Sequence, residues 1–299
     1  MHRMRSILAV TVLVLGASTQ AAGLVGAMPA GPAPLYGVTV DAVDNVPAVV
    51  DALSHLSRTP TVRIVFDEGM DASDYAAPVA AIRRAAYVMG ELVDSSTLKQ
   101  TTVRQMRERA ITYFDVLGRN VDIWEIGNEI NGEWTGSTRD IIDKTQVAYD
   151  AIKQRGGRTA LTLYYNEGCT ETPSRAMFDW AERNLPPGLR NGVDYVFISF
   201  YEDDCKITPP DWSAVFERLG HLFPQAMLGF GEVGTRHAAG KGALIARYYG
   251  LSIAHPRFVG GYFWWYFRQD MVPRTRPLWR SIDAAFQSMP ATPPRTPTP

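Results

Sequence analysis

Between positions 35 and 287, short runs of apolar, β-branched and aromatic residues alternate with longer amphipathic runs, eight times over. The strand-like runs fall at 35–40, 62–66, 86–90, 121–126, 160–165, 195–200, 227–230 and 258–266. Helix-like runs follow at 46–57, 75–84, 101–117, 138–153, 174–184, 212–222, 241–254 and 278–287. Strands separated by helices must pair in parallel, because each helix returns the chain to the end where it started. Eight such units in about 250 residues predict an α/β fold, a closed (β/α)8 TIM barrel spanning residues 34–289.

The two ends of the chain carry different signals. "MHRMR" is a basic start, "SILAVTVLVLGAS" a short apolar run and "TQAAG" a small-residue cleavage site. This pattern predicts a signal peptide over residues 1–22, and the apolar run is shorter than the roughly 20 residues of a membrane span. A secreted or periplasmic protein, with no membrane attachment after cleavage, is expected. "PATPPRTPTP", residues 290–299, has little to bury and is expected to form a disordered tail. The net charge of −1 comes with no dense Lys/Arg stripe, which argues against nucleic acid as a partner.

Five histidines are scattered and none stands at a metal-ligand spacing, so neither metal nor cofactor is expected. "GFGEVG", positions 229–234, matches a dinucleotide fingerprint but falls in the seventh unit, with no carboxylate near the required offset. Its glycines instead thin the backbone around Glu232. Cys169 and Cys205 follow neighbouring strands, and in an oxidising compartment a bridge between them is expected over two free thiols. Closing that loop would contribute about 3 to 4 kcal/mol in the chain-entropy picture.

"IWEIGNEINGEW" sets Glu125, Glu129 and Glu133 four residues apart, a helical spacing. Two glycines and two asparagines in the same stretch argue against a helix and for a strand that ends in a loop. Glu129 then stands at a strand's C-terminal end, where barrels of this kind place their chemistry. The other strand ends bring Asp41, Asp67, Glu68, Glu91, Asp94, Glu167, Tyr201, Glu202 and "WWYFRQD" to the same mouth. Carboxylates beside aromatic rings suit sugars, whose hydroxyls need polar partners and whose C–H faces stack on rings. The expected partner is a polysaccharide or oligosaccharide. Connections read as short predict an open groove and internal cleavage of a polymer.

Breaking a glycosidic bond needs one carboxylic acid to protonate the leaving oxygen and a second carboxylate as nucleophile or base. Glu129 and Glu232 are the pair placed for it. "IGNE" closing a fourth strand and a glutamate closing a seventh resemble the clan A retaining glycoside hydrolases, which include families 5, 39 and 53. The resemblance implies that Glu129 is the acid/base, that Asn128 binds the sugar 2-hydroxyl and that Glu232 is the nucleophile. It further implies that Arg63 in "TVRIVF" holds Glu232 ionised, that Tyr201 in "ISFY" hydrogen-bonds it, and that Trp264 or Trp265 lies beneath the sugar. Trp134, on the loop after the fourth strand, is a further platform. No histidine ends the third strand, where several families of the clan have one. A carbohydrate-binding pseudoenzyme and a transglycosylase are the alternatives on the same barrel.

Overall fold

The protein is described by a computed structural model covering residues 31–205 and 209–289. The expected signal peptide and tail lie outside the described residues. Eight strands form the closed barrel: β1 (Leu35–Val40), β2 (Thr61–Val65), β3 (Tyr87–Glu91), β4 (Ile123–Gly127), β5 (Thr159–Tyr164), β6 (Tyr195–Phe200), β7 (Met227–Val233) and β8 (Phe258–Trp264). Each pairs in parallel with the next, and β8 closes on β1. This is the predicted (β/α)8 barrel.

The outer layer begins with helices α1 (Val46–Ser54), α2 (Ala72–Arg83), α3 (Val103–Leu117) and α4 (Thr138–Gln154). It continues with α5 (Met177–Asn184), α6 (Pro187–Gly192), α7 (Glu202–Cys205), α8 (Trp212–Leu222), α9 (Lys241–Tyr249), α10 (Phe267–Met271) and α11 (Pro277–Ser288). The short α6, α7 and α10 are additions to the eight expected helices, one or two turns too brief to show a periodic apolar face. Local chemistry sets several of the helix starts. Thr102 accepts from the Gln105 amide while the Gln105 side chain accepts from the Thr102 amide, and Asp211 caps α8. Each such cap stabilises by about 1 kcal/mol.

Every residue of β2, β4, β5, β6 and β8 is buried, since the strands are covered on both faces. The larger core lies between strands and helices, and a smaller one gathers Leu35, Met89, Ile123, Ala160, Phe197 and Phe263. Two residues further along the same strand faces stand Glu91 after Met89, Glu125 after Ile123, Thr162 after Ala160 and Ser199 after Phe197. A strand's period of two keeps these on one face. The faces are therefore apolar at one end and polar at the mouth.

Bulges interrupt the pairing where that polar layer begins. Register shifts fall between Glu125 and Gly127 in β4 and between Phe230 and Glu232 in β7, which brings Glu232 opposite Ser199. In β8 four successive residues, Gly260, Gly261, Tyr262 and Phe263, have positive φ. The connections over 92–102, 128–137 and 165–176 are longer than the short loops expected from sequence, because turns and a 3-10 segment occupy them.

Gly261 illustrates how little room the closure leaves. Its φ is +93°, and a Cβ there would lie 2.2 Å from the Phe230 carbonyl oxygen. Backbone cannot yield as a side-chain tip can. Gly261→Ala is expected to cost about 3 kcal/mol and lower Tm by roughly 10 °C. An unchanged thermal unfolding midpoint would show that the strand contact is not this tight.

Candidate active site

Glu129 follows β4 in the left-handed region, at φ 47°. A non-glycine residue there carries strain that surrounding contacts must hold, and such strain gathers at functional sites. Here the Gly132 amide donates to the Glu129 carbonyl at 2.7 Å and the Ile130 amide donates to Thr162. Asn131, fully buried, clamps the loop to β5 by donating to the Tyr164 carbonyl and accepting from the Tyr164 amide. Glu133, the last of the three spaced glutamates, ties the same loop to Thr170 and Thr172.

The carboxyl group of Glu129 accepts from two hydroxyls, Ser95 Oγ on Oε2 at 2.9 Å and Ser199 Oγ on Oε1. Glu232, within β7 rather than after it, accepts from Arg63 Nη1 on Oε2 at 2.7 Å and from the Tyr201 hydroxyl on Oε1. The expected roles of Arg63 and Tyr201 as partners of Glu232 thus have their geometry. Both glutamates line one cavity of about 420 Å³, together with Asn128, Trp134, Tyr201 and Trp265. The Asn128 side-chain oxygen is buried there without a hydrogen-bond partner.

Arg63 is completely buried and binds more than the nucleophile candidate. Its Nε donates to Glu125 at 2.6 Å, and its Nη2 lies 3.1 Å from Glu91. Burial pushes the guanidinium pKa down, but Glu125, Glu91 and Glu232 outweigh it and hold the group firmly cationic. Neither oxygen of Glu91 has a hydrogen-bond partner. Burial drives its pKa well up, against the pull of Arg63.

The two central carboxyls also titrate high. Burial raises Glu129 to about 7, with Ser199 and Ser95 pulling down and Asp94 pushing up. Burial raises Glu232 to about 8, where Arg63 and Tyr201 pull down and the charge of Glu129 pushes up. That last push vanishes once Glu129 is protonated, so the pair shares a proton. The donors decide which group keeps the charge. Glu232 faces a cation and a phenol, whereas Glu129 faces neutral hydroxyls, so the proton rests on Glu129 and the charge on Glu232.

The two adjacent tryptophans part company. Trp265 lines the cavity, its ring 5.7 Å from the Arg63 guanidinium carbon. Trp264 is fully buried and donates to Asp270, which also binds Lys241. Trp264 is therefore corrected from platform to core residue, because adjacent strand residues face opposite sides and Trp265 takes the cavity side. Trp134 stays at the mouth, 43% exposed, edge-on to Tyr164 at 5.2 Å. Asp41 pairs with Arg268, and Glu167 caps α5 at Phe178, so neither lines the cavity.

Sequence reasoning missed Ser95, Ser199, Tyr164, Arg236 and His237, all part of this site. Ser199 could have been found two residues before Tyr201, on the inward face of β6. Ser95 gave no signal, since it sits on an irregular connection. The Cys205 side chain, and with it the expected bridge to Cys169, lies outside the described residues. Among the described residues, no three His, Cys, Asp or Glu side chains gather as a metal site, and no helix is long and apolar enough to cross a membrane.

The Glu129 carboxyl, raised by burial, contributes stability that is fully present below its unfolded value of 4.5 and is lost as pH rises through about 7. Glu129→Gln removes one ionisable group from this balance. It is expected to raise Tm by about 5 °C at pH 8 and hardly at all at pH 4.5, as read by calorimetry. An equal effect at both pH values would contradict the buried titration.

No protein-family model matches the chain, and no curated protein sequence does. Solved structures do. Saccharomyces cerevisiae Gas2p in complex with laminaritriose and laminaritetraose aligns at TM-score 0.56 and 15% identity, over 87% of this chain and 66% of that one. Gas2p with laminaripentaose aligns at 0.56 and 14%, over 87% and 66%. A glutamate-to-glutamine Gas2p variant without ligand aligns at 0.57 and 16%, over 86% and 61%. The chain thus spans about two thirds of the length of these structures. What it has in common with them is the barrel fold.

Proposed function

We propose that this protein is a secreted, retaining glycoside hydrolase of the clan A type, cleaving β-glycosidic bonds in a polysaccharide. The observation that carries the reading is the pair Glu129 and Glu232 on one cavity, one held by neutral hydroxyls and the other by a buried cation and a phenol. That asymmetry suits an acid and a nucleophile.

In the first step a Glu232 oxygen attacks C1 while Glu129 gives its proton to the departing oxygen. A glycosyl ester forms and the glycosidic bond breaks. In the second, Glu129 takes a proton from water, the hydroxyl oxygen attacks C1, and the ester opens to release the sugar with its configuration kept. Asn128 accepts from a sugar hydroxyl through its unpartnered oxygen, and Trp265 and Trp134 offer ring faces to the pyranose.

Internal cleavage is supported by the shape of the mouth. A second cavity of about 380 Å³ adjoins the first and shares Asp203 and His237 with it, leaving room for a chain to continue. The laminari-oligosaccharides bound by Gas2p support a β-glucan as the substrate class. Export through residues 1–22, a catalytic barrel over 34–289, a tail over 290–299 and a Cys169–Cys205 bridge belong to the same proposal.

Incubation with β-glucan should release new reducing ends, and proton NMR should show the β-anomer first. Glu232→Gln should lower kcat by roughly a thousandfold or more. An α-anomer as first product, or an active Glu232→Gln, would overturn the double displacement. Activity requires Glu129 protonated, so kcat/KM should fall as pH rises through about 7. A profile flat to pH 9 would remove Glu129 from the acid role.

A further inference from the structure

The support beneath Glu129 reaches out to the cleft wall. Trp134 Nε1 lies 3.1 Å from Ser95 Oγ, and Ser95 Oγ lies 2.9 Å from Glu129 Oε2. An indole N–H can only donate, so it takes a lone pair of the serine oxygen and leaves the serine proton for the carboxylate. Ser95 is 5% exposed, which leaves its hydroxyl few other partners. The indole is itself placed by its loop. Gly132 makes room for it, since a Cβ there would lie 2.7 Å from the ring, and Tyr164 meets it edge-on.

We propose that Ser95 is a positioning residue that couples the Trp134 sugar platform to Glu129, so that a sugar seated on the indole steadies the hydroxyl supporting the ionised acid/base. The proposal rests on the glycosidase reading. Its physical basis is the fate of Glu129 after the first step, when it has lost its proton in a buried site. Ser95 then donates to Oε2 and Ser199 to Oε1, one hydroxyl for each oxygen. Such bonds favour the ionised form and ease departure of the proton. The sugar that stacks on Trp134 limits the movement of the ring and, through its N–H, of Ser95.

The other charged and titratable groups facing Glu129 are Arg63 on β2, Asp94 after β3, Tyr164 on β5, Tyr201 after β6 and Glu232 on β7. None is altered by substituting Ser95. Ser95→Ala is expected to move the alkaline limb of kcat/KM upward by about one pH unit, the worth of one hydrogen bond to a charged group. Trp134→Phe keeps an apolar ring but removes the N–H, and is expected to move the limb the same way by less. Ser95→Thr keeps the hydroxyl and is expected to keep the limb in place.

Titration of the Glu129 carboxyl carbon by 13C NMR in the unliganded protein reads the same shift without turnover. A wild-type chain inactive on every β-glycan would defeat the glycosidase reading alone. The coupling is overturned if Ser95→Ala leaves both limb and NMR titration unmoved, or if it moves them while Trp134→Phe does not.

Discussion

The buried guanidinium of Arg63 is the interaction on which the mouth of the barrel depends. It projects from β2 to carboxylates of β3, β4 and β7, Glu91, Glu125 and Glu232, and so ties three other strands to its own. Breaking a buried ion pair by removing one partner typically costs about 3 to 5 kcal/mol, because the remaining charge has no water to turn to. Here one cation faces three acids. Burial drives the pKa of Glu91 well up, against the pull of Arg63, whose Nη2 lies 3.1 Å from it.

Around this cation the strands change character along their length. Their inward faces are apolar at one end, with Met89, Ile123, Ala160 and Phe197, and carry Glu91, Glu125, Thr162 and Ser199 one rung higher. The apolar rung supplies burial, and burial raises the pKa of Glu91 above it. Thr162 also donates to Glu125, which fixes that carboxylate on Arg63. Packing and chemistry are therefore two consequences of one pattern with a period of two.

Irregular backbone completes the site. The left-handed Glu129 and the inward-facing Ser199, opposite the β7 bulge at Gly231, bring an acid and its hydroxyl together, although they are 70 positions apart. The positive-φ run shifts the register of β8, and the alternation of adjacent side chains puts Trp264 in the core and Trp265 on the cavity. Bulges aim side chains that uniform pleating would point elsewhere.

The sequence by itself determined the barrel, because eight alternations of apolar and amphipathic runs repeat one local rule and errors at single boundaries do not change the count. It also singled out Glu129, Glu232, Arg63 and Tyr201, which stand at strand ends with recognisable neighbours. Only the tertiary structure decided that Ser95 and Ser199 hold Glu129, that Glu91 and Glu125 share Arg63, and that Trp265 rather than Trp264 faces the cavity. Those outcomes depend on register shifts and positive-φ turns. Such features arise where strands from distant parts of the chain must close on one another, and no local pattern of residues records them.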